Sequence, residues 1–285
     1  MRRVLSAMLL VCVTISLSAQ KPTKYSLKVG DKFEFTSVAD QSLVQTVMNQ
    51  EQATDQEITA KEEIEVMAFE NGVYTMKSTN LMQVFDMSSP MGGQTIHSDS
   101  AGLNNLPFRI MKGTSYTFSM KETGEVTSVM GLEELRSSMK EKLAGTIYEA
   151  NADQITGVYE EKTLMNQLNV TYFIYPENSV NEWTNSYSTV VNNIPVDFTT
   201  KLYWDDEDTI FGVADVKLEG DIEMQGMSIQ MNLGGGQKAI IDVDPATGMP
   251  TKIQSIQDMD GEMMASGMTV PMTMNTEVTT TISKK

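Results

Sequence analysis

The chain has 285 residues, with 38 Asp and Glu against 21 Lys and Arg, for a formal net charge of −17. A surface of that sign repels phosphate backbones and anionic headgroups, so nucleic acid is not expected as a partner. A single histidine and a single cysteine are too few for a His/Cys zinc site or a disulfide framework, and no cofactor is expected.

The opening stretch, MRRVLSAMLLVCVTISLSAQ, joins a basic start at Arg2 and Arg3 to an apolar run from Val4 to Leu17 and a small-residue exit at Ser16-Leu17-Ser18-Ala19. This pattern predicts a secretory signal peptide over residues 1–20, too short to span a bilayer. Val11 precedes Cys12 where a lipid anchor needs a small residue, so no lipidation is expected. Cleavage would remove Arg2 and Arg3, taking the charge from −17 by two units to −19, and would leave no thiol. No later stretch reaches the length of a transmembrane helix, so no integral membrane segment is expected after cleavage. The expected location is periplasmic or secreted.

Downstream, alternating apolar residues predict half-buried antiparallel strands. Tyr25, Leu27, Val29, Phe33 and Phe35 begin the pattern, and Ile58, Ala60, Ile64, Val66 and Ala68 hold one parity through the next run. Asn71-Gly72 supplies a hairpin turn, because both positions tolerate positive φ. Tyr74, Met76, Met82 and Val84 then share a face. From Met87 to Leu106 the chain is rich in Ser, Gly, Asn and Asp, which predicts a long exposed loop. A further hairpin turns at Thr123-Gly124. Helical spacing enters at Leu132, Leu135, Met139 and Leu143, with Glu133 and Glu134 in the first turn, Lys140 and Lys142 in the last, and Gly145 beyond as a C-cap. A weaker helix is expected to start near Glu160 and run through Leu164 and Leu168, with Pro176 as its limit.

Strand patterning returns at VNEWTNSYS from Val180. Thr-Gly divides two strand-like runs at both Gly124 and Gly248, so the chain reads as two related β units, 21–130 and 176–285, joined by a helical connector, 131–175, in one compact domain. The expected class is mainly β (α+β): curved antiparallel sheet with a few helices packed on its concave side.

The order LKVGDKFEF, TGEVTSVMG, helices, then YPENSVNEW resembles uncharacterised secreted families of Bacteroidetes-type Gram-negative bacteria. The resemblance covers most of the chain downstream of the leader and implies no activity, because its motifs are strand starts and turns. In architecture alone the chain is similar to LolA-like lipoprotein carriers, whose curved antiparallel sheets wrap around helices and enclose an apolar cavity.

Catalytic motifs are scarce. His97 is flanked by Ser98, Asp99 and Ser100, yet sequence neighbours rarely converge into a triad, and no G-x-S-x-G elbow occurs. LGGGQK lacks the spacing of a phosphate-binding loop and reads as a hairpin loop. DVDPATG lacks the ligands of a calcium loop and reads as a turn, and Asp205 to Asp208 would point to alternate sides of an extended chain. The chain is not expected to be an enzyme.

The sequence is richest in methionine, with 23 in all and ten between Met224 and Met274. Ile222 and Met224 share one parity, while Met227, Ile229, Met231 and Leu233 share the other, so a β-bulge at Gly226 would set all six on one face. Val270, Met272, Met274, Val278 and Ile282 alternate with Pro271, Asn275, Glu277 and threonines. A core needs only apolar area, worth about 1.5–3 kcal/mol per buried side chain. Methionine in place of Leu, Ile and Val points to a surface that adapts to varied apolar partners. The candidate site is therefore Met224, Met227, Ile229, Met231, Met272 and Met274, lining a pocket for an apolar small molecule or lipid. The leading expectation is an exported, non-catalytic binding protein, such as a lipid or lipoprotein carrier of the envelope. The alternatives are an envelope scaffold with no small ligand, and a Cu(I) protein built on M-x-M and M-x-x-M thioethers.

Overall fold

The computed structural model describes residues 21–47, 50–90, 92–191, 194–224, 227–265 and 267–285. The expected signal peptide with Cys12 and the expected bulge residue Gly226 lie outside them, as do the side chains at 188–191, 194–198, 222–224, 227–228 and 265.

Six strands precede the main helices: β1 (Lys32–Val47), β2 (Gln50–Glu70), β3 (Val73–Ser89), β4 (Gly92–His97), β5 (Ser115–Lys121) and β6 (Val126–Met130), with α1 (Leu106–Met111) between β4 and β5. The helices α2 (Leu132–Leu143), α3 (Ala152–Thr156) and α4 (Glu161–Tyr172) follow. The chain then returns to strands as β7 (Glu182–Val191), β8 (Ile194–Trp204), β9 (Thr209–Met224), β10 (Met227–Val243), β11 (Pro250–Ala265) and β12 (Met268–Lys284). All strands join one antiparallel sheet in the order β6-β5-β3-β2-β1-β12-β11-β10-β9-β8-β7, with β4 beside β3. The first and last strands pair at its centre, where Phe35 stands opposite Ile282.

Local signals explain much of this. Asn71 and Gly72 turn the β2–β3 hairpin with φ of 52° and 80°. α2 occupies the predicted span, and Gly145 follows it with φ of 72°. α4 runs on through Val170 and Thr171 to Tyr172, although these residues favour strands. Leu164, Leu168 and Tyr172 recur every four residues and bury together, and that packing outweighs local propensity.

Three expectations are corrected. Met87–Leu106 is not one loop: β3 continues to Ser89 and β4 returns beside it, Val84 opposite His97. Its polar composition suits a strand with little to bury, since β4 pairs with β3 alone and is mostly exposed. LGGGQK is not a hairpin loop but lies inside β10. There a Cβ on Gly235 would come within 1.9 Å of the Asp258 carbonyl oxygen, so the residue marks a close backbone approach. The two parities do not belong to one bulged strand: β9 ends at Met224 and β10 begins at Met227 as its antiparallel partner.

The two outer strands of this sheet, β6 and β7, both pack on α4, so the sheet bends far enough for one helix to bridge its edges. Asn169 of α4 takes a strand's place beside β6. Its Oδ1 accepts the Val126 N–H at 2.8 Å and its Nδ2 donates to the Val126 carbonyl at 3.2 Å. On the other side, Asn185 and Tyr187 of β7 donate to the Phe173 carbonyl just past α4, at 2.6 and 3.0 Å. The helices and the near ends of the strands enclose the main core, around Tyr25, Phe118, Met139, Leu143 and Tyr175. A second, separate core cluster holds Val216, Leu218, Leu233, Met259 and Met272.

Candidate functional site

The inward positions of β9, β10, β11, β12 and β1 align in rungs across the sheet. Nearest the helices is the rung of Ile210, Ile241, Ile253, Thr280 and Ser37. The next is Gly212, Ala239, Ser255, Val278 and Ala39, followed by Ala214, Gln237, Gln257, Thr276 and Gln41. The second of these rungs carries little side-chain volume, and Val170 and Thr171 of α4, with Ile174 just past it, lie over it. The space between is a cavity of about 340 Å³, with Leu202 and Ile241 among its apolar walls and the 49% exposed Val170 on α4. Sequence reasoning missed this site. Its signal was the set of small residues at inward parity on neighbouring strands, which only the register places side by side.

A second cavity of about 220 Å³ lies against α4 between Leu164 and Tyr172 and shares Thr171 and Thr280 with the larger one. Phe35, Tyr116 and Tyr172 line it together with Glu62. Glu62 projects inward from β2, beside a register shift between Lys61 and Glu62. Among the described residues its carboxylate receives one hydrogen bond, from Ser78 Oγ at 3.3 Å, and no ion pair. Burial pushes its pKa above the usual glutamate range, against the lowering effect of the Ser78 bond. The hydroxyls of Tyr116, Tyr159 and Tyr172 are also raised, in the first place by burial and further by the Glu62 charge.

This shift sets a stability trend. Folding raises the Glu62 pKa, so the native state holds the proton at pH values where the unfolded chain has lost it. Its contribution to stability is full below the ordinary glutamate range and is lost as pH rises through the native value. Glu62→Gln cannot titrate. Its stability relative to the parent should rise with pH across that window and level off above it, as read from paired urea titrations. A constant difference from pH 4 to 8 would show that Glu62 titrates normally.

The structure separates the sequence-predicted residues from this cavity. Ile229, Met231, Met272 and Met274 lie on the inward face beyond the glutamine rung, and none lines the larger cavity. Ile229 and Met272 are buried, while Met231 and Met274 pack half-buried against the second core cluster. Met224 and Met227 stand opposite each other at inward register positions, with side chains outside the described set. The glutamines tie the two regions together. Gln257 Nε2 donates to Met259 Sδ at 2.9 Å, and Gln41 Nε2 donates to Met274 Sδ and Thr276 Oγ1, both at 3.2 Å. Met259 and Met274 are themselves register partners, so both thioethers are already engaged by amide donors.

The other candidates have local partners. His97 Nδ1 accepts the Asp99 N–H at 2.9 Å, and Ser98 Oγ accepts the Gln83 N–H at 3.0 Å. Asp244 closes its own turn by accepting from Ala246 N and Thr247 Oγ1, both at 2.9 Å. Among the described residues no cluster of His, Cys, Asp and Glu could hold a metal ion, and no helix is long and apolar enough to cross a membrane.

The sequence model of the family of unknown function DUF6263 matches residues 71–250, and the chain belongs to that family. No curated protein matches it. Among solved structures it is similar to lipovitellin, with a TM-score of 0.51 at 6% identity over 90% of this chain and 25% of that one. The chain thus spans a quarter of the lipovitellin chain, and the likeness is one of fold. An outer membrane channel from Pseudomonas putida F1 aligns over 91% of this chain and 98% of its own at 9% identity, with a TM-score of 0.29.

Proposed function

We propose that this member of DUF6263 is an exported, non-catalytic binding protein that holds an apolar ligand, such as a lipid acyl chain, between α4 and the concave face of its sheet. The observation that carries this reading is the cavity of about 340 Å³, floored by Gly212, Ala239 and Ser255 and walled by Ile174, Leu202 and Ile241. Small-molecule sites are concave, largely apolar spaces of about 300–1,000 Å³ with a few placed polar groups. The lipovitellin structure, whose subject is lipid–protein interactions, supports a sheet of this kind meeting lipid. The basic and apolar leader supports export. The methionine cluster supports the reading indirectly, as adaptable packing behind the cavity rather than as its lining.

Protein purified from its own envelope should carry lipid in native mass spectrometry, and a fluorescent fatty-acid probe should bind once that lipid is removed. Ala239→Phe places a ring on the cavity floor. It should weaken the probe by about tenfold or more, equivalent to about 1.4 kcal/mol, while the circular dichroism spectrum stays that of a β protein. Unchanged probe affinity in a folded Ala239→Phe variant would sink the cavity reading.

A further inference from the structure

We infer that the site takes a single-chain amphiphile ending in an ammonium group, with the chain in the larger cavity and the head beside Glu62. This rests on the cavity reading above and adds the chemistry of the head. The two cavities share Thr171 and Thr280, so they adjoin along α4 between β2 and β8. Among the described residues Glu62 is the one charged side chain lining either of them. Its carboxylate lacks an ion pair among the described residues and has only the 3.3 Å bond from Ser78. A part-buried carboxylate with no cation beside it loses hydration without compensation, and a bound cation offsets that loss.

The surroundings select the kind of cation. Phe35, Tyr116 and Tyr172 line the same small cavity, and aromatic faces attract ammonium groups through their quadrupoles. Charge-assisted hydrogen bonds from an ammonium to a carboxylate are also stronger than those from a neutral hydroxyl. A carboxylate head would meet like charge at Glu62 and would be disfavoured. At the junction the Ser37 and Thr280 hydroxyls bond each other at 2.7 Å, leaving a polar neck between the apolar wall and the head position.

The test uses the full mature chain with dodecylamine, dodecanol and dodecanoate, each below its micellar concentration, in calorimetric titrations at neutral pH. Dodecylamine should bind about tenfold or more tighter than the other two. Glu62→Gln should erase that preference by lowering dodecylamine affinity to the level of dodecanol, and Ala239→Phe should weaken all three. The Ala239→Phe arm also controls for loose attraction of cations to an acidic surface, because it leaves every charge in place. If no ligand binds, the cavity reading itself fails. If all three bind alike, or dodecanoate binds tightest, or the amine preference survives Glu62→Gln, the cavity stands and the ammonium proposal is overturned.

Discussion

Gly124→Ala is expected to be the most damaging single substitution among the turn glycines with open φ, lowering stability by about 2–5 kcal/mol through strain and overlap together. Gly124 has φ of +91°, and an added Cβ would fall 1.7 Å from the Tyr172 carbonyl oxygen and 2.8 Å from the Tyr25 ring. Neither neighbour can yield cheaply. The Tyr172 carbonyl accepts the buried Tyr25 hydroxyl at 2.9 Å, and the Tyr25 N–H donates to the Glu122 carbonyl at 2.8 Å. The turn between β5 and β6 is thus docked on the end of α4 through a residue that has no side chain. Gly145 offers the control, because its φ is +72° but nothing lies within 4 Å of a Cβ built there. Gly145→Ala should show the backbone term alone, about 1–2 kcal/mol. Urea midpoints of the two variants give the comparison, and equal losses would mean that the docking against Tyr172 contributes nothing.

Much of the scaffold was legible in the sequence because it is written locally. Alternation marks β1, β2, β3 and β12, Asn71-Gly72 marks a turn, and the charges flanking Leu132 and Leu143 mark the ends of α2. The failures share one physical cause, which is that their meaning depends on a neighbour far away in the chain. Gly235 looks like a loop residue until Asp258 of β11 is placed against it. Gly212, Ala239 and Ser255 are unremarkable small residues until the register puts them in one rung and makes a hollow. Glu62 reads as one of several glutamates in KEEIEV, and only the tyrosines brought by β5 and α4 give it a distinct environment. The methionines stood out in composition, and Met231, Met259, Met263, Met272 and Met274 do share the inward face, but none of these five lines the cavity under α4.

Asn169→Leu should lower stability by about 2–4 kcal/mol, because it leaves two backbone groups of Val126 without partners and an unmet buried polar group costs about 1–3 kcal/mol. Val126 is 3% exposed, so water cannot readily replace the lost amide. Leucine matches asparagine roughly in size, so the loss reports hydrogen bonding more than packing. The native amide bonds both the N–H and the carbonyl of Val126, as the next strand of the sheet would. Without it β6 becomes an open edge, and open edges recruit other strands. Two readouts therefore belong together. Hydrogen exchange at the Val126 amide should accelerate more than at Phe118, which stays paired inside the sheet between β3 and β6. Size-exclusion chromatography should show a higher-order species that grows with concentration. Fast exchange at Val126 without any change in thermal midpoint would mean that α4 covers the edge without holding it.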